Sequence, residues 1–238
     1  MAGKISVVIP TYNERDNIVK IIDSLEESCS RDIKEIIIVD DNSPDGTWKV
    51  VEELKKKIKK LRLIRRIRAN GLPSAIIEGI RSAKCEYILW MDSDLSHPPK
   101  LIRKMMAYID DYDVVSASRY VKGGKDRRGI LRVATSRALN LFGSMVLNIG
   151  VKDITSGFYL VKKHVFKKIK LKDHGYAEYC IKFTWDVKRE GYKIKEVPYT
   201  VIDREKGYSK SYKNFANFMK HGCLCIKEIL ALRFMNKY

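Results

Sequence analysis

A short apolar run over residues 87–91 stops abruptly at two aspartates, Asp92 and Asp94, with one serine between them. An almost unbroken apolar run of this length is typical of a strand covered on both faces, and Pro98 and Pro99 indicate that a helix starts soon afterwards. Asp92 and Asp94 are therefore expected at the carboxyl edge of a central strand. Open α/β sheets bind their ligands at that edge.

The spacing of the two aspartates predicts a metal site. Two carboxylates this close repel each other unless a cation lies between them, and Mg²⁺ is commonly held by one or two carboxylates together with substrate phosphates. We therefore expect Mg²⁺ or Mn²⁺ here, bound by the two aspartates and by a nucleoside diphosphate. The alternative is a simple turn that Asp92 begins, with Ser96 as the cap of the next helix and no metal.

Strand and helix patterns alternate through the first half of the chain. Apolar runs predict strands at residues 4–10, 35–39, 61–67 and 87–91, and amphipathic segments predict helices between them. This alternation predicts an α/β fold with a mostly parallel central sheet flanked by helices. A dinucleotide-binding Rossmann enzyme is disfavoured because the turn after the first strand, Pro-Thr-Tyr-Asn-Glu over residues 10–14, lacks the required glycines.

The charge of the chain points to a polyanionic partner. Its formal net charge is +18, which fits nucleic acid, anionic lipid head groups or a phosphorylated substrate. The aromatic residues are not interleaved with the basic clusters, and no zinc or RNA-binding motif is present, so we expect no nucleic-acid partner. Strong salt-dependent DNA binding without nucleoside-diphosphate binding would instead favour a nucleic-acid-binding protein.

Cysteine usage and hydropathy predict a cytoplasmic protein. The five cysteines are an odd number without zinc spacing, which suits reduced thiols in a cytosol. No stretch approaches the ~20 apolar residues that a membrane span needs, and the first strand is too short for the apolar core of a signal peptide.

Three motifs carry a resemblance to a known family. They are Pro-Thr-Tyr-Asn-Glu at residues 10–14, Asp-Asp-Asn-Ser-Pro-Asp-Gly-Thr at 40–47, and Met-Asp-Ser-Asp-Leu-Ser-His-Pro at 91–98. In this order they resemble the catalytic domain of family 2 glycosyltransferases, and within that family the dolichyl-phosphate mannosyltransferases. The resemblance implies the GT-A fold, a Rossmann-like nucleotide-diphospho-sugar transferase, over residues 1–212. Residues 213–238 then form a C-terminal amphipathic helix.

The resemblance also implies roles for individual residues. Asp92 and Asp94 would hold the metal and the diphosphate, together with Ser93 and Ser96. Arg119 and Arg132 match family arginines, and a guanidinium binds phosphate oxygens bidentately. With the two aspartates they form the expected catalytic group. The nucleoside would be surrounded by Pro10, Tyr12, Glu14, Val39 and Asp41, and an Arg-x-x-Gly-x-Ser-Lys motif places Arg204 and Lys210 near the diphosphate.

The resemblance predicts transfer of a sugar, mannose from GDP-mannose, to a polyprenyl or dolichyl phosphate with inversion. A phosphate acceptor needs no general base, because phosphate monoesters already carry anionic oxygens near neutral pH. The motifs contain no convincing general base, which agrees with a phosphate acceptor. His97 is interpreted as a helix-entry residue.

Some positions depart from the family pattern. Pro73 stands where the family usually has a glycine, and Ile181 and Lys182 stand where it has a carboxylate, with Glu178 about one turn too early. A UDP-glucose- or UDP-N-acetylhexosamine-dependent enzyme acting on polyprenyl phosphate therefore stays open. A non-catalytic scaffold with the same fold also stays open.

The C-terminal segment carries a long apolar surface rimmed by lysines. This pattern fits a helix at an anionic membrane surface, and equally a helix docked on the catalytic domain or on a second copy. We therefore expect a protein that is peripheral on the cytoplasmic face of a membrane. Unlike longer relatives, the chain shows no C-terminal spans, so either a membrane-anchoring partner subunit or peripheral attachment alone would keep it there.

Overall fold

A computed structural model describes residues 4–68, 71–202 and 215–234, with side chains of the last range described from residue 217. A seven-stranded sheet lies at the centre, and a two-stranded ribbon lies beside it. The strands are β1 (Ile5–Thr11), β2 (Ile33–Asp40), β3 (Leu61–Arg65), β4 (Tyr87–Trp90), β5 (Val114–Ser118), β6 (Lys125–Asp126), β7 (Tyr159–Lys162), β8 (Ile194–Pro198) and β9 (Thr200–Val201).

Helices cover both faces of this sheet. They are α1 (Arg15–Cys29), α2 (Thr47–Lys55), α3 (Leu72–Ser82), α4 (Leu101–Ile109), α5 (Ile130–Leu147), α6 (Glu178–Arg189) and α7 (Phe215–Phe234), with a 3₁₀ turn at Lys163–Lys167. No helix of the described ranges is both long enough and apolar enough to cross a bilayer.

The order of strands is β3-β2-β1-β4-β7-β5-β8, and β6 pairs with β9. Strands β3, β2, β1 and β4 run parallel, as do β5 and β8, whereas β7 runs antiparallel to both of its neighbours. The prediction of an α/β fold with a mostly parallel sheet is confirmed. Parallel neighbours place the ends of β1, β2 and β4 at one edge, where the three motifs meet.

The central strands are covered on both faces, as their apolar sequences predict. Every residue of β1 and β4 is buried. Helix α3 approaches β1 closely at Gly79, where a Cβ atom would overlap the side chain of Val8. A glycine at this position therefore lets the helix pack directly against the sheet.

The C-terminal helix α7 packs against α5 and α6. Its buried residues Cys225, Ile229 and Leu232 share an apolar cluster with Ile154 and Ile181. Gly143 of α5 allows this contact, because a Cβ there would lie 2.9 Å from Cδ1 of Ile229. The described part of α7 is thus docked on the sheet domain through one face, while the proposed boundary at residue 212 lies outside the described residues.

Candidate active site

The loops after β1 and β2 are tied together at the carboxyl edge of the sheet. Oγ1 of Thr11 donates to Oδ2 of Asp40 over 2.8 Å, and the N–H of Asp41 donates to the carbonyl of Thr11 over 3.1 Å. Asp40 also accepts the N–H of Ser43 over 2.8 Å. This network fixes the two loops that carry the residues predicted to surround the nucleoside.

The predicted nucleoside residues differ in accessibility. Pro10 and Val39 are paired across β1 and β2, and both are buried. Glu14 is buried as well and accepts Nδ2 of Asn17 over 2.8 Å, whereas 44% of Tyr12 is exposed. Their contact with a nucleoside stays a prediction, and Tyr12 is the most accessible of the four.

Asp41 has protein partners on both carboxylate oxygens. Nε of Arg66 donates to Oδ1 over 2.6 Å, and the N–H of Gly71 donates to Oδ2 over 3.2 Å. Arg66 also donates to the hydroxyl of Ser74, the second residue after Leu72 at the start of α3. Asp41 therefore links Arg66, which follows β3, to Gly71, which precedes α3. Sequence reasoning missed Arg66 because nothing in a run of arginines distinguishes the one that turns inward.

Asp92 and Asp94 lie in a tight turn directly after β4. Leu95, the next residue, has φ 65°, and Ser96 donates its N–H and its hydroxyl to Oδ1 of Asp94 over 3.1 and 2.6 Å. Ser96 is not a helix cap, because α4 begins only at Leu101 after a turn at Pro98 and Pro99. The capping role of Ser96 in that alternative is wrong, and Ser96 instead orients Asp94. Ser93, which lies between Asp92 and Asp94 in the sequence, is buried.

His97 also belongs to this turn. Its Nδ1 accepts the backbone N–H of Asp92 over 3.0 Å, and its ring stacks on Phe158 with the centroids 4.9 Å apart. Only 3% of the residue is exposed. The interpretation of His97 as a helix-entry residue is wrong, since the ring supports the Asp92 backbone. The feature of the sequence that could have indicated this contact is the position of His97, five residues after Asp92.

A cavity of about 680 Å³ opens at these residues and continues between α5 and α7. Its volume is within the range of about 300–1,000 Å³ that small-molecule sites occupy. One end is polar and the other is apolar. The polar end is lined by Asp92, Asp94, Ser96, His97, Arg119, Arg128 and Arg132, and the apolar end is lined by residues of α5 and α7, among them Leu139, Phe142, Phe218, Met219 and Ile226.

Arg119 lies on the cavity wall but is engaged by a carboxylate behind it. Its Nε and Nη2 donate to the two oxygens of Asp153 over 2.7 and 2.6 Å, and Nη2 also donates to Thr155. Burial alone would lower the pKa of Arg119, but Asp153 outweighs it and raises the pKa well above its ordinary value. Arg119 is thus a fixed positive charge. Its contact with a phosphate stays a prediction.

Two further arginines face the same end of the cavity. Arg128 donates to both oxygens of Asp126, and the Asp126 carboxylate also lies 3.9 Å from Nη1 of Arg119. Arg132 lies on the cavity wall in the first turns of α5. Asp126 therefore brings Arg128 and Arg119 close together, and Arg132 lines the same cavity. Only 11% of the Arg128 side chain is exposed.

The departures from the family pattern have structural consequences. Pro73 lies at the start of α3, where its ring is compatible with a first turn. Ile181 is buried against α7, and Lys182 pairs with Asp186 over 2.6 Å. Glu178 accepts the N–H groups of Tyr176 and Ala177, so its carboxylate is bound to the turn directly before α6. No described carboxylate therefore occupies the family position at Ile181 or Lys182.

Arg204 and Lys210, which were predicted to lie near the diphosphate, fall outside the described residues. Within the described ranges, no group of three or more His, Cys, Asp or Glu side chains is arranged to hold a metal ion. Asp92 and Asp94 do face one cavity, and they offer the hard oxygen ligands that Mg²⁺ and Mn²⁺ prefer. The donor set thus fits a cation that takes its other ligands from phosphates and water.

Comparisons with known proteins agree with this geometry. The sequence model of glycosyl transferase family 2 matches residues 6–170. A dolichol-phosphate mannosyltransferase of Pyrococcus furiosus is 35% identical over 223 residues, covering 92% of this chain and 62% of that protein. A polyprenol monophosphomannose synthase of Mycolicibacterium smegmatis is 33% identical over 212 residues, covering 86% of this chain and 79% of that one. The chain therefore spans less than two thirds of the length of the Pyrococcus relative.

Solved structures share the fold. A glucosyl-3-phosphoglycerate synthase of Mycobacterium tuberculosis, in complex with Mn²⁺, UDP and glucosyl-3-phosphoglycerate, superposes with a TM-score of 0.73 at 20% identity, covering 97% of this chain and 80% of that chain. A mannosyltransferase of Pyrobaculum calidifontis, in complex with GDP-mannose and Mn²⁺, gives a TM-score of 0.71 at 15% identity, covering 100% of this chain and 66% of that chain. At these identities the likeness concerns the fold.

Proposed function

The chain belongs to glycosyltransferase family 2, and on that premise we propose that it transfers mannose from GDP-mannose to a polyprenyl phosphate with inversion at the anomeric carbon. The two relatives named above are a dolichol-phosphate mannosyltransferase and a polyprenol monophosphomannose synthase. They support both the sugar and the class of acceptor.

One observation carries the proposal. A single cavity joins the Asp92 and Asp94 turn, three arginines and an apolar channel between α5 and α7. The aspartate turn suits a nucleoside diphosphate sugar, the three arginines suit a phosphate, and the apolar channel suits an isoprenoid chain. A sugar or protein acceptor would leave the apolar part of the cavity without a ligand of matching chemistry.

The residues of the cavity suit a direct displacement. An acceptor phosphate oxygen attacks the anomeric carbon while the bond to the nucleoside diphosphate breaks, so one bond forms as the other is lost and the configuration inverts. No general base is needed, because the attacking oxygen is already anionic near neutral pH. Arg128 and Arg132 would orient the acceptor phosphate, and Arg119 would supply a fixed positive charge beside both phosphates.

Asp92 and Asp94 would hold Mg²⁺ or Mn²⁺. A divalent cation at this place offsets negative charge on the departing diphosphate. Ser96 supports the arrangement by binding Oδ1 of Asp94, which limits the orientations open to that carboxylate. Arg204 and Lys210 are retained as proposed contacts of the diphosphate, and Pro10, Tyr12, Glu14, Val39 and Asp41 as the proposed nucleoside site.

The proposed place of action is the cytoplasmic face of a membrane, where a polyprenyl phosphate would present its head group. Leu141 and Met145 of α5 and Ile226, Leu230 and Phe234 of α7 are exposed apolar residues at helical spacing, and the net charge of +18 favours anionic head groups. Peripheral attachment through these two helices, alone or with a membrane-anchoring partner subunit, is our proposal.

The function is tested by a transfer assay with purified protein and Mn²⁺. GDP-mannose, UDP-glucose and UDP-N-acetylglucosamine are offered as donors, and a polyprenyl phosphate or the matching unphosphorylated polyprenol as acceptor. We expect mannosyl transfer from GDP-mannose to the phosphate and none to the alcohol. Transfer from a UDP-sugar instead would overturn the donor assignment, and binding of every donor without transfer would favour the scaffold.

The UDP-sugar alternative has one observation in its favour. Ile181 and Lys182 leave the family carboxylate position without an acid, and the carboxylate of Glu178 is bound to the backbone N–H groups of Tyr176 and Ala177. If that carboxylate selects mannose, its loss would relax the choice of sugar. The donor comparison above decides between the two.

A further inference from the structure

The ring of His97 lines the cavity, and one of its two nitrogens supports the aspartate turn. Nδ1 accepts the N–H of Asp92 over 3.0 Å, so Nδ1 carries no proton in this arrangement. The neutral ring then carries its proton on Nε2. No hydrogen bond within the described part of the chain engages Nε2, and His97 lines the cavity beside Asp92 and Asp94.

The surroundings of the ring fix its position. Phe158 stacks on one face at 4.9 Å between centroids, and Tyr199 meets it edge-on at 6.0 Å. Gly157 lies beside Cε1, the carbon between the two nitrogens, and even a Cβ built on it would be 3.7 Å away. The ring is therefore clamped by aromatic side chains while its Nε2 edge stays uncovered by Gly157.

We propose that His97 binds the sugar of the nucleotide donor directly, by donating Nε2–H to a sugar hydroxyl, while Nδ1 positions the Asp92 backbone. The proposal rests on the proposed function, because it assigns a further contact within the same site. A single ring N–H donor among aromatic side chains is suited to binding a sugar hydroxyl. The diphosphate is better matched by the cation site and by the arginines.

Two substitutions separate the two nitrogens. In His97→Asn the amide oxygen can still accept the Asp92 N–H, but no donor reaches the position of Nε2. In His97→Gln the amide nitrogen can reach that position, but the acceptor near Nδ1 is lost. His164→Asn is the matched control, since His164 is partly exposed and pairs with Asp113, away from the cavity lining.

The readout is the calorimetric affinity for GDP-mannose and for GDP, each with Mn²⁺. A hydrogen bond to a sugar hydroxyl is lost only from GDP-mannose, so His97→Asn should weaken GDP-mannose about three- to tenfold and change GDP by less than about twofold. His97→Gln should weaken both ligands together, because the Asp92 turn is loosened, and keep their affinity ratio. His164→Asn should change neither affinity.

The wild-type protein gives a test that does not depend on a variant folding. In ¹⁵N-histidine spectra we expect His97 in the Nε2–H form, with its Nε2–H signal shifted by GDP-mannose and not by GDP. An equal loss of affinity for both ligands in His97→Asn would overturn the proposal. A ring protonated on Nδ1 alone would overturn it as well. Wild-type protein that binds neither ligand would overturn the proposed function first and this proposal with it.

Discussion

Arg119 and Asp153 form a bidentate ion pair at the wall of the cavity. Nε and Nη2 of Arg119 donate to the two carboxylate oxygens over 2.7 and 2.6 Å, and the backbone N–H of Arg119 adds a third bond of 2.9 Å. Asp153 is fully buried and Arg119 nearly so. Asp153 therefore decides where the guanidinium points, and Arg119 acts as part of the wall rather than as a mobile side chain.

Asp153→Ala should destabilise the protein strongly, because it leaves a buried guanidinium without its carboxylate. Breaking a buried pair in this way costs about 3–5 kcal/mol. The measurement is the free energy of unfolding from urea titration. Glu190→Ala is the control, since Glu190 meets Arg189 at 4.0 Å on the surface and exposed pairs contribute about 0–1 kcal/mol. A loss below about 1 kcal/mol in Asp153→Ala would contradict this description of the pair.

Arg132→Ala should selectively weaken the binding of the acceptor. Arg132 lines the cavity, whereas Arg137, five residues later on α5, is exposed and does not. A charged hydrogen bond contributes about 1.5–3 kcal/mol, so KM for polyprenyl phosphate should rise about tenfold or more, with KM for GDP-mannose changed less than about twofold. Arg137→Ala should leave both constants near those of the wild type. Equal changes in both variants would point to a general effect of net charge instead.

Much of the fold could be predicted from the sequence, because the central strands are short apolar runs with polar ends. The alternating pattern gave the parallel strands β1 to β4, and the aspartates appeared at the strand end where the structure has them. The antiparallel strand β7 could not be predicted, since strand direction depends on how the chain returns over the sheet and leaves no local pattern.

The site was predicted less completely, because the sequence does not show which charges are paired. Asp41 was expected to contact a nucleoside, which stays a prediction, and the structure shows its carboxylate bound to Arg66 and Gly71. His97 was interpreted as a helix-entry residue, but it binds the Asp92 backbone. Neither set of protein contacts could be predicted, because a polar residue near a strand end has the same appearance in sequence whether it meets a ligand or another part of the chain.

Asp126 should contribute stability that depends on pH. Burial alone would raise the pKa of Asp126, but hydrogen bonds and charge from Arg128 outweigh it, so the pKa lies below its ordinary value of 3.8. The carboxylate therefore stabilises the fold above about pH 3.8, and this contribution is lost as the pH falls through the lower folded-state pKa. Asp126→Asn should be less stable than the wild type near pH 7, with the gap closing below about pH 3.8.

Urea unfolding of the wild type and Asp126→Asn across this pH range checks the prediction. Asp111→Asn, in the turn two residues after the end of α4, serves as the control for removing one exposed carboxylate. A stability gap between wild type and Asp126→Asn that stays constant down to the most acid pH at which both fold would contradict the assigned role of the ion pair.

Leu230→Ser should reduce binding to anionic vesicles. Leu230 lies four residues from Ile226 and from Phe234 on an exposed stripe of α7, while the opposite face of that helix packs on α5 and α6. Vesicle co-sedimentation measures the change, and burying one leucine contributes about 1.5–3 kcal/mol, or about tenfold to a hundredfold in partitioning. Val19→Ser on α1 is the control, because Val19 is a similarly exposed apolar residue outside these two helices. Equal loss in both variants would argue against attachment through α7.

The central claim is that Asp92 and Asp94 form the reaction centre of a sugar transferase. Its most direct test is the initial rate of mannosyl transfer from GDP-mannose to a polyprenyl phosphate, with Mn²⁺, by wild type, Asp94→Asn and Asp111→Asn. We predict a loss of about a hundredfold or more in Asp94→Asn, an intact fold by thermal melting, and wild-type rates in Asp111→Asn. Transfer by Asp94→Asn at the wild-type rate would contradict the claim.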